Sequence, residues 1–199
     1  MTIEEQFLIW FTRNEDDLFS FERDQERIFG RLFGELQKVN PELTFEFGPK
    51  KQSREFVISA GGIRSAFPAV VALAKAAPAL PRWQVIAFRP RRSPVNTVEI
   101  GNLRIDPEVV QFTLLDNGKT AGIYLYIPGF QETETAFKQI GYLLLDEALG
   151  EFDVEERLGL IKMLPIDAEE VGDRHPLADL PPLFDELICS LEGRSLNPS

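Results

Sequence analysis

Apolar positions return every three or four residues through the first part of the chain and then every second residue, and the change of period marks out the elements. Ile3, Phe7, Trp10 and Phe11 fall on one face of a short helix opened by a capping box of Thr2 and Glu5. Asn14 reads as a second cap, with Glu15, Asp16 and Asp17 in the first turn, where the helix dipole favours anions. From there Leu18, Phe21, Ile28, Leu32, Leu36 and Val39, widened by Phe29 and Phe33, predict one helix to about Val39, stopped by Asn40-Pro41.

The period then shortens. Leu43 to Phe47 alternates as a strand, 48–51 turns, and Glu55 to Ala60 is a second strand, giving a hairpin. Gly61-Gly62 leads into a helix from about Ser65 to Ala77, with Pro68 in its first turn and Pro78 and Pro81 ending it. Trp83 to Phe88 is a third strand. Residues 55–88 thus read as a strand–helix–strand unit with parallel strands. Short strands follow, the clearest at Val109–Leu115 and Ala121–Ile127 around Asn117-Gly118, a strong hairpin signal.

A helix over about 133–149 buries Phe137, Ile140, Leu144, Leu145 and Ala148 and ends at Gly150. Asp153 to Glu156 reads as a capping box for one short turn, Leu160–Leu164 as a strand, 166–178 as a polar loop, and Pro181–Leu191 as a last helix. The fold class is α+β: a mixed sheet containing one strand–helix–strand unit and antiparallel hairpins, helices mainly on one face. Residues 1–193 are expected to form a single domain, with a lobe break placed near 93–96 and a frayed tail at 194–199.

Composition adds the compartment and charge adds direction. The lone Cys189 excludes an intrachain disulfide and the multi-cysteine zinc patterns, and its place on an apolar rhythm with Leu187, Ile188 and Leu191 reads as a small buried hydrophobe. An acidic start argues against a secretory signal, no apolar run is long enough to span a membrane, and a cytoplasmic location is expected. The net charge is −11, which disfavours nucleic acid and anionic lipid as partners. Residues 48–92 carry nine Lys/Arg against Glu55 alone, while the flanking segments are acidic. Charge segregated in this way steers partners and predicts a salt-sensitive homodimer.

No catalytic constellation is legible, and neither a metal nor a cofactor is expected. The candidate anion-binding residues are Gly61, Gly62, Arg64 and Ser65, at a helix start, together with Arg89, Arg91 and Arg92, which leave the neighbouring strand at the same sheet edge. The competing readings are a tight turn needing two glycines, and arginines paired with the chain's own acids. His175, the only histidine, lies in a polar stretch and reads as a solvated side chain. The acid clusters at 15–17, 22–26, 151–156 and 169–170 read as solvated surface and helix N-terminal acids, without the spacing of a calcium loop.

Several runs carry a resemblance: Trp10 to Glu15, Leu43 to Gly48, Arg54 to Gly62, Ala76-Ala77-Pro78, Trp83 to Phe88 and Leu149-Gly150-Glu151. Over about 10–160 the chain resembles a group of uncharacterised bacterial cytoplasmic proteins with no assigned activity, so no catalytic residues carry over. In character it is similar to small acidic bacterial interaction and immunity-type proteins, a likeness that does not give function. The sequence favours a non-enzymatic cytoplasmic protein that acts through a protein partner. The alternative is an enzyme or sensor for an anionic small molecule at Gly61-Gly62 and Arg89–Arg92, with RNA binding through the basic stretch a weaker third.

Overall fold

Thr2 opens the first helix, α1 (Ile3–Arg13), with the expected reciprocal cap: its hydroxyl accepts from the Glu5 N–H at 3.2 Å, and the Glu5 carboxylate accepts from the Thr2 N–H at 2.8 Å. The computed structural model describes residues 1–169 and 171–196, and these gather into two compact units that divide between Arg89 and Pro90. Each unit has its own apolar core.

In the first unit the long helix expected over 14–39 is broken. α2 (Glu15–Phe19) is followed by a 3₁₀ turn at Phe21–Arg23, and α3 runs Gln25–Val39. A straight helix over 14–39 would be roughly 39 Å long at 1.5 Å per residue. The six residues of strand β2 (Arg54–Ser59) reach roughly 20 Å. Folding back at Ser20–Asp24 lets Leu18 and Phe19 join Ile28, Leu32 and Leu36 in one core, whereas Phe33 stays exposed. Asn14 does not cap α2 with its side chain. Its amide instead donates to the Trp10 carbonyl, and its carbonyl oxygen accepts from Arg31, each at 2.8 Å.

β1 (Thr44–Phe47) pairs antiparallel with β2, and β3 (Trp83–Ala87) pairs parallel with β2 after the crossover helix α4 (Phe67–Ala76), in the order β1-β2-β3. Aromatic rings fill the space beneath. Phe11 stacks on Phe56 with centroids 4.8 Å apart and meets Trp83 edge-on at 5.1 Å.

The second unit begins with a hairpin of β4 (Val98–Ile100) and β5 (Leu103–Ile105). β6 (Gln111–Asp116) and β7 (Ala121–Ile127) form the Asn-Gly hairpin, where Gly118 takes φ 83° and its N–H donates to Asp116 at 2.9 Å. α5 (Thr135–Leu149) buries the five residues its spacing selects. Gly150, at φ 85°, ends α5 and directly precedes α6 (Glu151–Arg157). That helix opens two residues before the expected box at Asp153, and no side chain caps it.

β8 (Leu158–Pro165) returns parallel to β7, and a short β9 (His175–Pro176) pairs with β6, giving the order β8-β7-β6-β9. α7 (Leu180–Leu196) closes the unit with Leu180, Phe184, Ile188 and Leu191 turned inward. α7 continues through Leu196, and Arg194 pairs with Asp116 at 2.6 Å; residues 197–199 of the expected tail lie outside the described residues. Parallel and antiparallel strands with seven helices among the described residues make this an α+β fold.

Candidate functional site

The turn after β2 spends its own backbone donors. Ser59 Oγ accepts from the Gly61 N–H at 3.0 Å, the Ile63 N–H donates to the Ala60 carbonyl at 3.0 Å, and the Ala66 N–H donates to the Ile63 carbonyl at 2.9 Å. Gly61 and Gly62 both take positive φ, which such a turn requires. The helix expected from Ser65 begins instead at Phe67, after a 3₁₀ turn at Arg64–Ala66. Three of the N–H groups that would cradle an anion are therefore used within the turn.

The arginines are similarly engaged. Arg89, which follows Phe88 at φ 64°, donates its Nε proton to Glu46 on β1. Arg91 makes two parallel bonds of 2.9 Å to the Asp185 carboxylate and a third of 2.7 Å to Asp153, and its Nε donates to the Leu149 carbonyl at 2.8 Å. The bond to Asp185, with Asp153 adding to it, holds the Arg91 guanidinium even more firmly protonated than usual. None of Gly62, Arg64, Arg89 and Arg92 lacks a partner. Of the seven residues read as one anion site, Gly61, Gly62, Arg64, Ser65 and Arg89 belong to the first unit, and Arg91 and Arg92 to the second.

His175 sits in β9 rather than in a loop, half-buried, with its ring centroid 5.7 Å from that of Phe112. Cys189 is exposed, not buried: on α7 it lies one residue, about 100° of helical turn, beyond the inward-facing Ile188. Among the acids, Glu151 is fully buried instead of solvated, and Asp153 answers Arg91; Glu170 lies outside the described residues. No cluster of three His, Cys, Asp or Glu suited to a metal occurs among the described residues.

A different surface of the second unit has the geometry of a receptor. β8 is the end strand of its sheet, and no described strand pairs with its outer edge. Met163 faces α5, because a Cβ built on Gly141 would fall 2.5 Å from the Met163 sulfur. Ile161 and Pro165 therefore share that face, and alternation sends Leu160, Lys162 and Leu164 to the other, where the Lys162 ammonium sits 5.7 Å from the Tyr124 ring centroid. Between the edge of β8 and α5 runs an open groove of about 550 Å³, with Ile161 to Pro165 along one wall and Phe130, Glu132, Lys138 and Tyr142 along the other. Tyr142 on the groove wall is 44% exposed, and Leu160, on the other face of β8, is 39% exposed, large values for apolar groups on either side of one strand edge. The sequence marks Leu160–Leu164 as a strand but does not mark it as an edge. The available signal is a lysine within a short apolar run closed by Pro165, a pattern of edge protection.

A second cavity, of about 700 Å³, is walled in this unit by Pro94, Pro107, Pro181 and Pro182. Of its polar groups, Arg91 is engaged as above and Asp106 accepts from the Glu108 N–H. No protein-family model, curated protein or solved structure matches the chain. Among the described residues no helix is long and apolar enough to cross a membrane.

Proposed function

We propose that the protein is a non-enzymatic cytoplasmic binding protein that acts through a protein partner, which it receives as an extra strand on the open edge of β8. One observation carries this: an eight-residue end strand, with Leu160 exposed and Ile161, Met163 and Leu164 half-buried, beside a groove walled by α5. Strand addition satisfies the row of backbone N–H and C=O groups that an edge presents, and the groove supplies side-chain pockets at alternate positions. The anion-binding alternative has weaker support, because the turn donors, Arg89 and Arg91 are engaged within the chain.

The test is selection of displayed random peptides against the full chain, followed by hydrogen exchange with the enriched peptides. Slowed exchange of the 158–165 amides, and loss of binding in Tyr142→Lys, are expected. Absence of enriched peptides, or protection that falls elsewhere, would reject strand addition.

A further inference from the structure

Building on strand addition at β8, we infer that the partner segment is an extended peptide with apolar residues at alternate positions and one carboxylate residue between them, facing Lys162. The second unit carries nine Lys/Arg against twenty Asp/Glu, so nearly every basic group there has acids to choose from. Arg91, Arg104, Arg157 and Arg194 each pair with a carboxylate. Lys138 at the rim of the groove and Lys162 on the other face of β8 have none within 4.0 Å among the described residues, as is also true of Lys119 in the β6–β7 turn and of Arg174, which donates to the Ile166 and Ala168 carbonyls. Of these cations Lys162 alone lies within the end strand, so a carboxylate on a strand added there would meet positive charge that no described carboxylate already answers.

Strand geometry sets the register. An added strand turns alternate side chains to the α5 side, where they meet Phe130 and Tyr142, and the intervening ones to the opposite side, beside Lys162 and Tyr124. Apolar residues suit the first set and a carboxylate directly opposite Lys162 suits the second. Lys138 at the α5 rim adds to the local field, while Glu132 disfavours an acid at its end of the groove. The unit as a whole is strongly negative, so a run of acids would be repelled, and a single carboxylate among apolar residues is the composition that fits.

A second copy of the chain fits less well. Two β8 edges can pair about a twofold axis only antiparallel. Centred on the strand, that pairing brings the two Lys162 side chains close together, a like-charge contact of the kind that guards edges against self-association.

The peptide selection is therefore run on the wild-type chain, Lys162→Glu, and Lys119→Glu, whose lysine lies in the β6–β7 turn away from the groove. Enriched wild-type peptides should alternate apolar residues and hold Asp or Glu at one fixed position. Lys162→Glu should exchange that position for Lys or Arg and weaken a labelled wild-type peptide by about five-fold or more, whereas Lys119→Glu should do neither. Enriched peptides with no fixed acidic position, or an acidic position that survives Lys162→Glu, would overturn the charge assignment and leave strand addition standing. No enrichment at all would overturn both. Sedimentation showing a dimer whose 158–165 amides are protected without peptide would assign the edge to a second copy, against the inference.

Discussion

Met163 packs its thioether onto the bare backbone of Gly141, and a methyl group added there would sit 2.5 Å from its sulfur and its terminal carbon. The missing side chain of Gly141 thus lets Met163 lie close against α5, and Met163 lines the groove. The obstructing atoms are the flexible end of a methionine, so they can move, and Ala gains roughly 1 kcal/mol over Gly in a helix interior. Gly141→Ala should stay within about 1 kcal/mol of wild type by urea denaturation while pushing the thioether into the groove. Binding of a selected peptide should fall, and Met163→Ala in the same chain should restore part of it. Unchanged peptide affinity in Gly141→Ala would show that the placement of the Met163 thioether does not shape recognition.

Leu32 is fully buried in the core of the first unit, and its neighbour in sequence Phe33 is exposed. Leu32→Ala should lose on the order of 2–5 kcal/mol from burial and the cavity left behind. Phe33→Ala should change stability by less than about 0.5 kcal/mol. Denaturation midpoints of the two variants that coincide would contradict the placement of α3.

Arg54 is buried in β2, 3% exposed, with its guanidinium carbon 4.5 Å from the centroid of Phe21 and an ion pair to Glu22. A flat, weakly hydrated cation suits that ring face, and an ammonium does not. Arg54→Lys should therefore cost about 1–2 kcal/mol despite keeping the charge. A thermal midpoint equal to that of the wild type would remove the stacking as a source of stability.

Two carboxylates tie stability to acid. Asp185 is held below the usual aspartate range by its bonds from Arg91, and Asp116 by the Gly118 N–H and then by Arg194. A carboxylate depressed in the folded state contributes stability that is complete above the unfolded aspartate value, about 3.9, and that disappears as pH falls through the lower folded value. Urea midpoints taken downward from about pH 5 should decline in that window, and Asp185→Asn should flatten part of the decline. An identical acid profile in the variant would dissociate Asp185 from the effect.

The local periods were legible because they belong to single elements: the Thr2–Glu5 box, the inward face of α5, the Asn117-Gly118 turn and the parallel crossover from β2 to β3 all follow from neighbours in sequence. The break at Ser20–Asp24 was hidden because it serves the reach of the sheet, while the apolar rhythm of 18–39 runs through it unchanged. Cys189 shares an apolar neighbourhood with Ile188, yet only the helix phase decides which of them turns inward. The open edge of β8 was harder to read for a deeper reason. A strand becomes an edge only through the absence of a neighbour, and the strand itself carries no more than the faint mark of Lys162 in an apolar run closed by Pro165.

Arg91 joins the end of α5, the start of α6 and the second turn of α7, through partners 58, 62 and 94 residues further along the chain. At a synthesis rate of about 5–20 residues per second, roughly 5–20 s separate the making of Arg91 from that of Asp185. Throughout that interval the arginine is a cation whose last counter-ion has yet to be translated. The three-helix tie therefore closes only once α7 has been made, and a nascent chain halted before α7 holds a second unit with that tie unmade.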